Sequence, residues 1–250
     1  MIFRWSIWGL HKTKSLELLT YSILSFKHHF GDAQEYVVCT DDVVLLEHEV
    51  GNIAQIIDFN EDEKSIFDIE SKATWKKWCP RVKLDIDATE IYIDSDIFLI
   101  KYPIEIEKLI ADPRIKFAVM DEYLGQPWQH GAMQRKSTGE TPFINAGIFI
   151  QKAGFSIAEN LEHELDWWKQ HILPADQTHH DEQGALAISL TPYCKEGKVC
   201  ILPKEKYMMI GPNENKDVDN LENVTMFHAV YPDHPAFYKF KDHLDIMLGR

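Results

Sequence analysis

The chain is expected to fold as an α/β protein on a mixed, mostly parallel central sheet flanked by helices, and three observations lead there. First, a strand-like run, Ile2 to Trp8, precedes a segment whose apolar residues Leu16, Leu19, Ile23, Phe26 and Phe30 recur at helical steps, and Tyr36 to Cys39 is strand-like again. That succession is a βαβ unit, whose two strands lie parallel. Second, two later apolar runs finish in acidic residues: Ile91-Tyr92-Ile93 in Asp94-Ser95-Asp96, and Ile115 to Met120 in Asp121-Glu122. The C-terminal ends of strands are where open α/β sheets bind ligands. Third, Ile157, Leu161, Leu165, Trp168 and Ile172 mark one face of a second long amphipathic helix.

In order along the chain, Gly9 ends the first strand and Gly31 the first helix. The second strand runs into Thr40-Asp41-Asp42, and Ile53 to Ile57 reads as a third. The charged stretch Ser71 to Ile86 is expected to be helical. Ile91 to Ile100 reads as one buried central strand, and Ile144 to Gln151 as another, interrupted at Ala146-Gly147. The helix after Ile157 stops before Pro174. Asp181 to Leu190 and Lys239 to Leu248 read as helices, and Val199 to Leu202 and Val224 to His228 as short strands. The polar stretch 211–223 is the longest candidate loop, a lid or a surface connection. One domain is expected to span 1–250.

Composition narrows the function classes. The chain is 45% apolar and 26% charged, ordinary for a globular protein. A net charge of −14 argues against nucleic acid or an anionic membrane as partner. The cysteines Cys39, Cys79, Cys194 and Cys200 have no CxxC spacing, so neither a zinc site nor a redox pair is expected. With no transmembrane segment and an opening too short and polar for a signal peptide, the expected location is cytoplasmic, with reduced thiols. Oligomeric state is not legible.

The chemistry begins at Asp94 and Asp96. An unpaired carboxylate in an apolar run costs several kcal/mol, so two of them need a partner. On an extended segment residues i and i+2 point to the same side, and a divalent cation suits two adjacent anions. An acidic chain that handles a diphosphate needs such a local cation.

Four features then line up: Asp94-Ser95-Asp96, the segment Phe143-Ile144-Asn145-Ala146-Gly147-Ile148, Asp181-Glu182-Gln183 opening a helix, and His228 closing a strand. As a set they resemble the GT-A glycosyltransferases, and within them family eight, which includes glycogenin and the lipopolysaccharide galactosyltransferases. The resemblance implies a Rossmann-like GT-A fold and transfer of a sugar from a nucleotide-diphosphate sugar, a UDP- or GDP-sugar, to a hydroxyl of a glycan acceptor. It implies that Asp94, Asp96 and His228 hold Mn²⁺ or Mg²⁺ against the diphosphate. Asp121 and Asn145 would hydrogen-bond the donor sugar, and Arg81 and Lys83 match a family arginine ahead of the metal strand. Ser6 to Gly9, including Trp8, with Thr40 and Asp41, would frame base and ribose. Asp181, Glu182 and Gln183 would act near the sugar, with either Asp181 or Glu182 as the carboxylate. The family's phosphate-gripping lysine after the metal histidine is absent, and Lys239 or Lys241 would have to replace it.

Each feature also has a plainer reading: a loop cap for the aspartate pair, a structural histidine for His228, a helix cap for Asp181. Trp75, Trp78, Trp167 and Trp168 read as core rather than as a sugar platform. Two other functions compete: a GT-A domain that binds sugar nucleotides without turnover, and a haloacid-dehalogenase-type phosphohydrolase, which also carries Asp-x-Asp after an apolar strand. Phe98 and the late position of the motif count against the second.

Overall fold

The computed structural model describes residues 1–9, 13–61, 64–230 and 233–250. Its elements are β1 (Ile2–Ile7), α1 (Thr13–Phe30), β2 (Glu35–Thr40), α2 (Val43–Val50), β3 (Gln55–Asp58), β4 (Glu90–Ile93), β5 (Ile97–Leu99), α3 (Ile104–Ala111), β6 (Phe117–Asp121), β7 (Ile144–Gln151), α4 (Ala158–His171), α5 (Asp181–Lys195), β8 (Val199–Leu202), β9 (Tyr207–Ile210), β10 (Met226–Ala229) and α6 (Pro235–Leu248), with 3₁₀ segments at Trp75–Trp78 and Pro127–Arg135. A seven-stranded sheet has the order β3-β2-β1-β4-β7-β6-β8, and a three-stranded sheet the order β5-β10-β9. In the large sheet only β7 runs against its neighbours, β4 and β6. Its N-terminal end therefore lies among the C-terminal ends of the others.

Strand alternation builds two apolar layers. Ile91 and Ile93 of β4 pack on one face with Trp5, Leu19, Ile23 and Phe26, under α1. Tyr92 packs on the other face with Trp78, Phe149, Leu161 and Leu186, under α4 and α5. Each fully buried side chain of this size contributes about 1.5–3 kcal/mol. A third cluster, with Phe98, Phe227, Phe237 and Phe240, joins the small sheet to α6. Among the described residues no helix is long and apolar enough to cross a membrane.

The expected single strand from Ile91 to Ile100 is two strands. β4 belongs to the large sheet and β5 to the small one, and Asp94-Ser95-Asp96 is the turn where the chain changes sheets. The expected helix from Ser71 to Ile86 is also absent, apart from one 3₁₀ turn. Pro80 supplies no amide hydrogen. The buried Arg4 guanidinium of β1 instead donates to the carbonyls of Cys79 (2.7 Å), Arg81 (2.7 Å), Lys77 (3.3 Å) and Val82 (3.4 Å), and pairs with Glu90 at 3.1 Å. Those carbonyls are satisfied by a side chain from the sheet, which holds the segment in an irregular path beneath it.

Candidate functional site

The turn after β4 places two carboxylates where both sheets meet. The amide of Asp94 donates to the Gly147 carbonyl of β7 at 2.8 Å, and Ala229 of β10 donates to the Asp96 carbonyl at 2.9 Å. The β10–β5 register sets His228 opposite Ile97, and so beside Asp96. One ligand atom each from Asp94, Asp96 and His228 then lie within 4.8 Å of one another. Two carboxylates and an imidazole are a donor set suited to Mn²⁺ or Mg²⁺. The residues present fit such an ion.

Neighbours orient each ligand. Tyr92 donates its hydroxyl to Asp94 Oδ1 at 2.9 Å, and Lys77 Nζ lies 3.3 Å from the same oxygen. Asp96 faces His228 Nε2 at 3.1 Å and His234 Nδ1 at 3.2 Å. Burial opposes ionisation of Asp96, but the two imidazoles outweigh it and hold the carboxyl below its ordinary range. Gly147 makes this convergence possible: a Cβ there would come within 2.8 Å of Asn145 Oδ1, 2.9 Å of Ile97 Cδ1 and 3.0 Å of His228 Cε1. Pairing between β6 and β7 slips at this point, between Val119 opposite Phe149 and Met120 opposite Asn145.

Beside the triad lies a cavity of about 660 Å³. Its lining includes Ser6, Ile7 and Trp8 from the end of β1, Trp128, His179 and His180, and the triad itself. Glu182 lines it from the first turn of α5. One Glu182 oxygen is 3.4 Å from Lys77 Nζ and accepts from Thr74 Oγ1 at 3.3 Å, while the other is buried without a partner among the described residues. Desolvation raises the Glu182 pKa, with Lys77 pulling the other way. Gln183 donates to Glu122 Oε2 at 3.3 Å and accepts from the Ala146 amide at 3.1 Å, and Asn145 donates to the same Glu122 oxygen at 3.3 Å. Burial raises the Glu122 pKa as well.

Several sequence expectations need correction. Asp181 lies outside the cavity: its carboxylate is completely buried and accepts from the Ala132 amide (2.7 Å), Trp168 Nε1 (2.7 Å), the Thr178 amide (3.1 Å) and Thr178 Oγ1 (2.6 Å). It ties α5 to the Pro127–Arg135 segment and to α4, so Glu182 is the carboxylate that faces the cavity. Asp121 is the last ladder residue of β6, paired with Ile144, and the next residue, Glu122, reaches the site instead. Lys83 is at the opposite end of the sheet, donating to the carbonyls of Lys152 (2.7 Å), Phe155 (2.9 Å) and Ile86 (3.2 Å). The Arg81 side chain reaches Glu61 at 3.5 Å and does not line the cavity.

Thr40 and Asp41 are also outside the cavity lining: Thr40 Oγ1 accepts from Asp42, and Asp41 accepts from the Gly9 amide. Lys239 meets Asp219 and Lys241 meets Asp245, both away from the cavity. Lys77, Glu122, His234 and Glu214 are cavity or ligand-contacting residues that sequence reasoning missed. Lys77 sits in the charged stretch expected to be helical; Arg4 holds its carbonyl, and its ammonium meets Asp94, Glu182 and the Ala146 carbonyl.

No protein-family model matches the chain, and comparison with curated proteins finds no match. Solved structures do match. The fold is similar to that of a galactosyltransferase, LgtC, solved with donor and acceptor sugar analogues, at 12% identity over 100% of this chain and 95% of that one, with a TM-score of 0.59. It is similar to mouse xyloside xylosyltransferase 1, at 10% identity over 91% of this chain and 97% of that one, TM-score 0.53. It is also similar to glucosyl-3-phosphoglycerate synthase from Mycobacterium tuberculosis, solved with Mn²⁺, UDP and glucosyl-3-phosphoglycerate, at 12% identity over 100% of this chain and 80% of that one, TM-score 0.50. The β3-β2-β1-β4-β7-β6-β8 sheet, with its small companion sheet, is the GT-A fold of these glycosyltransferases.

Proposed function

We propose that this chain is a metal-dependent glycosyltransferase that moves a sugar from a UDP- or GDP-sugar to a hydroxyl of a glycan acceptor, in surface glycan or polysaccharide synthesis. The observation that carries this reading is the convergence of Asp94, Asp96 and His228 at the C-terminal edge of the sheet, on the wall of a cavity of about 660 Å³. The Mn²⁺ and UDP in the structure of the mycobacterial synthase of the same fold support it.

Breaking a sugar–diphosphate bond leaves negative charge on the departing phosphate oxygen while positive charge grows at the anomeric carbon. A divalent ion held by Asp94, Asp96 and His228 would supply electrophilic stabilisation to the leaving diphosphate. The chain's own residues do the rest. Glu182 carries negative charge next to the sugar and stabilises the growing positive charge. Lys77, bridging Glu182 and Asp94, fixes both carboxylates. Asn145, Gln183 and Glu122 form one hydrogen-bonded unit that orients the sugar. Trp8 and the end of β1 receive the nucleoside.

The test is nucleotide release from a panel of UDP- and GDP-sugars with Mn²⁺, with Mg²⁺ and with a chelator. Release from at least one donor, abolished by the chelator, is expected. Turnover indifferent to metal contradicts the reading, and metal-dependent binding without turnover of any donor assigns the domain to binding alone.

A further inference from the structure

Besides the metal ligands, the cavity lining includes glutamates from three different segments. Glu122, Glu182 and Glu214 all line it, and each is more than nine-tenths buried. Glu214 comes from the 211–223 loop, and its inward position is built. Gly211 donates to the Glu214 carbonyl at 2.7 Å, Asn215 takes a left-handed φ of 48° and donates its side chain to the Met209 carbonyl at 2.8 Å. A Cβ on Gly211 would come within 2.8 Å of Glu214 Oε2, so that glycine leaves the room the carboxylate occupies. Glu214 is near enough to Glu122 to oppose its ionisation.

Two facts give this wall a ligand chemistry. The buried Glu182 Oε1 has no donor among the described residues, and a buried acceptor left unpaired is costly, so a bound ligand that brings a hydroxyl is favoured there. Lys77 is the one lysine or arginine among the described residues that line the cavity, and its ammonium already meets Asp94, Glu182 and the Ala146 carbonyl. A carboxylate on the sugar would enter beside three buried glutamates with no unengaged lysine or arginine in the described lining to receive it, where like charges repel.

We infer that Glu122, Glu182 and Glu214 select an uncharged, hydroxyl-bearing donor sugar and reject nucleotide uronates, with Glu214 as a specificity-determining residue. The inference rests on the proposed function, since it assigns the sugar end of that donor site. Its test compares donor pairs that differ only by a C6 carboxylate: UDP-glucose with UDP-glucuronate, UDP-galactose with UDP-galacturonate, and GDP-mannose with GDP-mannuronate. Dissociation constants are measured with Mn²⁺, with UDP and GDP alone as references.

Within the pair whose neutral member binds best, the uncharged sugar is expected to bind at least tenfold more tightly. Glu214→Gln is expected to narrow that ratio while the affinity for the bare nucleotide diphosphate stays at the wild-type value, which also shows that the variant folds. Equal or tighter binding of the uronate, or a ratio unchanged in Glu214→Gln, overturns the inference and leaves the proposed function standing if UDP or GDP binds with metal. Failure of both nucleotides to bind removes the proposed function and the inference together.

Discussion

Glu122 shows how a single side chain at this site is set by its surroundings. Burial is the main cause that raises its pKa above the ordinary 4.5, and the amides of Asn145 and Gln183 only partly offset it. A carboxyl whose folded pKa exceeds its unfolded one is relatively favoured in the folded state at low pH, and that advantage is lost as pH rises through the folded pKa. Glu122→Gln is therefore expected to stabilise the metal-free protein more at high pH than at low pH, and the gain should shrink toward zero as pH falls below 4.5. Urea midpoints of the two proteins across that range check it.

At this scale the sequence was unevenly informative. Asp94 and Asp96 stood out because carboxylates inside an apolar run are expensive, whereas nothing in the charged stretch Ser71 to Ile86 singles Lys77 out from its neighbours. The choice between Asp121 and Glu122 depends on where the β6 ladder ends, and the choice between Asp181 and Glu182 on which face of α5 meets the cavity. Neither is encoded by residue type.

Among the elements, β7 carries the most consequence for the site. Its antiparallel course brings Asn145 to the C-terminal edge of its neighbours, and its irregular pairing leaves room for His228 against Gly147. Gly147→Ala is expected to push Asn145, Ile97 and His228 apart, costing about 1–3 kcal/mol of stability and weakening Mn²⁺ affinity on the order of tenfold through misplaced ligands. Thermal denaturation and a Mn²⁺ titration followed by electron paramagnetic resonance would measure the two effects separately.

The strand β7 was visible in the sequence, as were the βαβ opening and the helices α1, α4 and α5, but the interruption expected at Ala146-Gly147 is a slip in its pairing with β6 and not a break in the strand. The segment before β4 was not, because the Arg4 contacts that override its helical look come from the far side of the chain. The break between β4 and β5 was hidden for a related reason. An apolar run looks the same whether it lies in one sheet or crosses between two, and only β10 pairing with β5 distinguishes them.

For the whole molecule, two sheets meet at one edge and an acidic chain is left with a strong need for cations there. A protein of net charge −14 repels a nucleotide diphosphate unless positive charge is concentrated locally. Lys77 is engaged with Asp94 and Glu182, and Lys239 and Lys241 lie elsewhere, so the triad at the junction of the sheets is where that charge would be held.

The most direct measurement is calorimetric titration of UDP and GDP into the wild-type protein and Asp96→Asn, with and without Mn²⁺. The account predicts that Mn²⁺ tightens binding of one nucleotide by at least tenfold in the wild type and has no such effect in Asp96→Asn. Nucleotide binding of equal strength with and without Mn²⁺, or an undiminished Mn²⁺ effect in Asp96→Asn, would contradict it.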